Sequence, residues 1–155
     1  MRGKGGAFVI GDDPWIRVTK FDRVAIGIYE RHYSCRQYKD GRRRVQFAPP
    51  GETLCMLTPY SDALFGWVFN TVPRMDGQEG VNCFVFRNES PARASDLIRW
   101  AMERAWKRWP GKRLFTYVDP NRVAGEIPGY CFRRAGWKRC GESKSGLLIF
   151  EALPK

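Results

Sequence analysis

Hydrophobic and polar positions fall in blocks along this chain, and their period changes from strand-like to helix-like and back. Thr53-Leu54-Cys55-Met56-Leu57-Thr58 is an apolar run between two turns, Pro49-Pro50-Gly51 and Tyr60-Ser61-Asp62. It predicts a buried strand. Ala63 to Asn70 predicts a second, antiparallel to the first because so short a connection leaves no room for a crossover. A polar loop over 71–80 leads to a third strand at 81–86. Over about 91–109, Leu97, Ile98, Ala101, Met102, Ala105 and Trp109 recur on one face of a 3.6-residue period, with Arg99, Glu103, Arg104, Lys107 and Arg108 on the other. Ser90 can cap this helix with Pro91 in its first turn, or its regular part starts at Ser95. Pro110-Gly111 stops it.

A strand at 114–118 follows. Strand, helix and strand of these lengths predict a pair running parallel. A short helix at about 128–135 and a hairpin over 137–153 complete the chain. Ahead of the meander, 15–20 reads as a short strand and 21–39 as a helix. The glycine- and charge-rich segment 1–14 reads as a loose tail, leaving a single domain over 15–155. The expected fold is α/β in the mixed-sheet (α+β) sense: an antiparallel meander plus a central parallel strand pair, with helices on both faces. A parallel pair that diverges at its C-terminal ends opens a cleft there, where ligands of open α/β sheets bind.

Composition adds a partner. Lys+Arg 27 against Asp+Glu 16 gives a net charge of +11, much of it arginine, including Arg42-Arg43-Arg44 and four arginines of the long helix. A field of that sign favours a polyanion. No apolar run approaches the roughly 20 residues of a membrane helix, and no signal peptide is read at the N-terminus. Five cysteines without a CxxC pair point to reduced thiols in a cytosol. Cys131 reads as a packed thiol, and Trp106 and Trp109 as core or interface residues.

The order of these elements, with Phe132-Arg133-Arg134-Ala135-Gly136-Trp137 leading into the hairpin, resembles the GNAT acyltransferase superfamily over about 21–153. That superfamily cradles the pyrophosphate of acyl-CoA on backbone N–H groups of a glycine-rich loop before the long helix. Here the loop is Arg87-Asn88-Glu89-Ser90-Pro91-Ala92-Arg93. It has no glycine, Pro91 lacks an N–H, and Glu89 adds negative charge. Acetyl-CoA is therefore doubtful as a cofactor.

A narrower likeness fits better. Arg31-His32-Tyr33-Ser34, Phe86 to Ser90, Thr116-Tyr117-Val118-Asp119-Pro120 and Pro128 to Phe132 look like the Mom family of phage DNA-modification proteins. The resemblance implies a transferase that adds a carbamoylmethyl-type group to adenine N6 in double-stranded DNA. Such an enzyme would work in the cytoplasm of the host cell and protect phage DNA from restriction.

The resemblance implies a catalytic set of His32, Tyr33, Asp119 and Tyr130. His32, the one histidine of the chain, would accept a proton. Asp119, at a parallel strand's end, would hold His32 or orient the amine, although it also reads as a turn former before Pro120. Tyr130 would serve as an acid or stack on a flipped base. Arg87, Asn88 and Ser90 are expected to bind substrate, arginine gripping an anion and asparagine reading adenine, although capping or a pair with Glu89 also explains Arg87 and Asn88, and Ser90 reads first as a helix cap. Arg42, Arg43 and Arg44 would contact DNA phosphates, or form a solvated loop. A single histidine cannot build a two-His-one-carboxylate iron site. Iron held by His32, a tyrosine and Asp119 stays open. So do two other functions, an acyl-CoA-dependent N-acyltransferase and a non-catalytic basic DNA-binding module. Donor, sequence context and oligomeric state are not legible.

Overall fold

A computed structural model describes residues 12–35, 40–72, 74–122 and 127–154. Among these residues seven strands form one sheet: β1 (Ile16–Val18), β2 (Glu52–Leu57), β3 (Ala63–Phe69), β4 (Val81–Asn88), β5 (Leu114–Val118), β6 (Lys138–Glu142) and β7 (Leu148–Ala152). Three helices, α1 (Arg23–Glu30), α2 (Ala94–Arg108) and α3 (Tyr130–Arg134), connect them. The spatial order is β1-β2-β3-β4-β5-β7-β6. Only β4 and β5 run parallel; every other neighbour pairs antiparallel. The meander, the parallel pair and the terminal hairpin are those the hydrophobic pattern predicts.

Alternation along the strands sends residues to two separate cores. Leu54, Met56, Phe65, Trp67, Val81, Cys83 and Leu114 pack with Leu97, Ile98, Ala101 and Ala105 of α2. Cys55, Leu57, Leu64 and Val85 pack with Ala25, Ile26 and Ile28 of α1, and Phe47 joins them. The α2 core is the larger. Its buried indole N–H groups are all paired, Trp15 Nε1 with the Leu97 carbonyl (2.9 Å), Trp67 Nε1 with the Ala101 carbonyl (3.1 Å), Trp109 Nε1 with Glu52 (3.2 Å) and Trp137 Nε1 with Met102 Sδ (3.0 Å). Large aromatics are buried there without orphaned donors.

Three expectations change. The helix expected over 21–39 ends at Glu30, because its apolar positions, Ala25, Ile26 and Ile28, are exhausted there. The turns that follow include His32 N–H to the Tyr29 carbonyl (2.9 Å), and 36–39 lie outside the described residues. Ser90 does not cap α2, which begins at Ala94 with Arg93 at its cap position and no side-chain cap bond. The segment expected as a loose tail, 1–14, is ordered at its end. Pro14 is buried, and Asp13 pairs with Arg104 of α2 at 2.6 Å; residues 1–11 lie outside the described set.

The feature that positions the site is a bulge in β4. Gly66 pairs with Val85 and Trp67 with Cys83, so Phe84 is the extra residue. Phe84 and Val85 consequently both join the α1 side of the sheet. Gly66 makes this geometry fit, since a Cβ there would stand 2.5 Å from Cζ of Phe84. A bulge bends its strand and ends regular pairing. The β4–β5 ladder accordingly stops at Cys83↔Thr116, although β4 continues to Asn88 and β5 to Val118.

Candidate active-site cleft

The two strands part beyond Cys83 and Thr116, where the Thr116 hydroxyl donates to the Cys83 carbonyl at 2.9 Å. A cavity of about 920 Å³ opens at the split. It is of a size with sites for small molecules and nucleotides, roughly 300–1,000 Å³. Its walls come from β4, β5, the turns after α1, the 71–80 loop, the start of α3 and the terminal hairpin. His32, Tyr33, Asp119 and Tyr130 all line it. The four residues the resemblance implied, spread over almost a hundred positions, share one hollow.

His32 is half-buried beside Tyr33, their rings stacked at 4.4 Å. Its Nδ1 accepts from the Ser34 N–H (3.1 Å) and faces the Ser34 hydroxyl at 2.7 Å. That bonding leaves the proton of the neutral ring on Nε2. Burial, with the positive charge of Arg87 beside it, lowers the imidazole to about 4; a hydrogen bond with the Phe86 backbone opposes the shift. At neutral pH the ring is an uncharged acceptor. Burial also raises the phenol of Tyr33, with the nearby Asp119 charge, Cys83 and Cys131 adding to the rise and a bond with the Asp119 backbone opposing it. Tyr33 therefore reaches between the diverging strands. Across the mouth, Arg122 donates to the Tyr33 carbonyl at 3.0 Å, tying the turn after β5 to the turn after α1.

Asp119 does not hold His32. Its Oδ1 accepts the Asn121 N–H at 2.9 Å, the bond of a turn former, while His32 is fixed by Ser34 and Phe86. Tyr130 is 55% exposed at the first turn of α3. Gly129 before it takes a left-handed conformation, φ 74°, with a Cβ position only 2.6 Å from the Phe150 ring. That close approach sets where Tyr130 emerges.

The residues expected to bind substrate serve the scaffold. Glu89 clamps Arg31 and Arg87 together, both Nε atoms at 2.7 Å from its Oε2, and this holds its carboxyl down at about 2. Asn88 donates to the Ala92 carbonyl (2.7 Å) and accepts from Ser90 N (2.9 Å) and Oγ (2.5 Å). The N–H of Glu89 goes to the Asp62 carbonyl (2.8 Å), that of Ala92 to Ser90 Oγ (3.1 Å), and Pro91 has none. Residues 89–92 thus offer no unbonded N–H to a pyrophosphate. In the basic loop, Arg43 is exposed, Arg42 stands 3.7 Å from Asp40, and Arg44 lies over the Tyr29 ring at 5.2 Å. Both ends of the segment carrying that loop, at His32–Ser34 and at Pro49, stand on the cavity wall.

Two atoms of the set left open for iron, His32, a tyrosine and Asp119, are already engaged. Nδ1 of His32 and Oδ1 of Asp119 already accept backbone N–H groups. Among the described residues no three His, Cys, Asp or Glu side chains cluster as a metal site. None of their helices is long and apolar enough to cross a membrane.

Sequence reasoning missed the cleft's other end. There the Tyr117 hydroxyl donates to Asp76 in a short hydrogen bond, and Arg74 sits over the Tyr117 ring at 5.1 Å and 3.9 Å from Asp76. Burial and the bond to Asp76 push the phenol up to about 12. Asp76 lies in a loop that reads only as polar, so no spacing pointed to it. Tyr117 alternates with buried Thr116 and Val118, and that alternation was the available signal.

Compared with known protein families, with curated proteins and with solved structures, the chain finds no match.

Proposed function

We propose that this protein is a DNA-modifying transferase of the Mom type on a GNAT-like scaffold, adding a small, carbamoylmethyl-type group to adenine N6 in double-stranded DNA. The observation that carries the reading is the meeting of His32, Tyr33, Asp119 and Tyr130 in one cavity at the split of the parallel pair. Chemistry on an exocyclic amine requires the base to leave the stack, and a hollow of this size has room for a flipped base. His32 is uncharged at neutral pH and, bonded to Ser34 and to the Phe86 backbone, stacks on Tyr33 and sets its position. Tyr33, its phenol raised, stays protonated and can donate a hydrogen bond. The net charge of +11 favours a polyanion such as duplex DNA, and the exposed Arg43 would take a phosphate.

An acyl-CoA N-acyltransferase is the less favoured reading, because the turn before α2 has spent its amides. The test is mass spectrometry of nucleosides from plasmid co-expressed with the protein, beside His32→Ala. The expected result is a new deoxyadenosine adduct that disappears in the variant. An unchanged nucleoside profile from folded, abundant wild type refutes the reading.

A further inference from the structure

Asn82 is 7% exposed in β4, and its Oδ1 is, among the described residues, the one buried side-chain N or O atom without a hydrogen-bond partner. Native proteins rarely bury an amide oxygen unpaired, and each such atom needs a reason. Asn82 lines the cleft. It pairs in register with Phe115, so it faces the same side of the sheet as Phe115 and Tyr117. Arg74, Asp76 and Tyr117 therefore share the cavity wall with a buried acceptor that nothing in the fold satisfies. Phe86, whose backbone holds His32, is four residues further along β4. At about 3.3 Å per strand residue, less the bulge, Asn82 and Phe86 stand on the order of 10 Å apart along β4.

We infer that the Asn82 end of the cleft is a second subsite, which holds the donor of the transferred group, a small polar molecule whose amide or amine N–H is accepted by Asn82 Oδ1. The Arg74–Asp76–Tyr117 cluster frames this subsite with one positive and one negative group, matching a polar ligand better than an acyl chain. The inference rests on the transferase reading, since a donor subsite presupposes an acceptor at the other end. It also reassigns the recognition role: Asn88 is bound up in its own turn, and the amide that awaits a ligand is Asn82.

The experiment compares wild type, the near-isosteric Asn82→Leu and, should that variant fail to fold, Asn82→Ser. Three readouts are taken: adduct in co-expressed plasmid, affinity for a duplex by fluorescence anisotropy, and base extrusion by 2-aminopurine fluorescence. The expected result is an adduct level at least about tenfold lower, with duplex affinity and the 2-aminopurine signal unchanged, since loss of one bond to a ligand removes about a factor of ten. An Asn82 variant with the wild-type adduct level overturns the subsite and leaves the transferase reading intact. A variant that loses the 2-aminopurine signal makes Asn82 a base reader and overturns the donor assignment. Wild type that makes no adduct overturns both.

Discussion

The two faces of the sheet are finished to different standards. On the α2 side, helix, strands and indoles close a continuous core in which Trp67, Phe65, Leu97 and Ile98 are all but inaccessible and the indole donors of Trp15 and Trp67 are paired. On the other side, α1 packs over β3 and β4 and goes no further along the chain than Glu30. Beyond it, β4 and β5 part, a cavity remains, and an amide oxygen is buried unpaired. One face supplies stability and the other holds the candidate chemistry. Unsatisfied groups and hollows are costly, so they are expected where a ligand repays them.

The largest break in this contrast should come from the finished face. Trp67→Ala is expected to cost about 3–5 kcal/mol in urea denaturation, since it leaves a cavity in the larger core. Gly129→Ala should cost about 1–3 kcal/mol, because the left-handed φ and the Phe150 ring both oppose a Cβ. It should also lower activity by displacing Tyr130. On the unfinished face, Asn82→Leu should move the other way, raising stability by about 1 kcal/mol by removing a buried acceptor without a partner. A destabilised Asn82→Leu would show that the amide is a structural element of β4.

The smallest effect is a pH slope. His32 sits at about 4 in the folded chain, below its ordinary 6.5. The unfolded chain therefore binds more protons between those values. The stability His32 contributes is complete above 6.5 and is lost as pH falls towards 4. His32→Gln should flatten the stability profile across that window, measured by urea melts at stepped pH. Glu89, held at about 2 against an ordinary 4.5 by its two arginines, acts in the same direction at lower pH, so Glu89→Gln should flatten only the more acidic limb.

How far the candidate site was legible follows from how its parts are built. His32, Tyr33, Asp119 and Tyr130 came from a resemblance carried by short motifs, and what the structure adds is that all four line one cavity. Asn88 and Ser90 read as ligand groups because a polar pair before a helix suits either recognition or a turn. Only their mutual bonds and the one to Ala92 decide for the turn. Asn82 was invisible, a polar residue inside an apolar run. Its isolation depends on where Phe84 bulges and β5 turns away.

By itself, the sequence determined the elements, their order, the parallel sense of β4 and β5, the inward stripe of α2 and the basic charge. These follow from hydrophobic period, loop length and composition, which act over neighbouring residues. The tertiary structure decided which carboxylates neutralise which arginines, that His32 is set by Ser34 and Phe86 and not by Asp119, and that Asn82 is left without a partner. Such pairings depend on distances between segments tens of residues apart, fixed only when the sheet closes around its bulge.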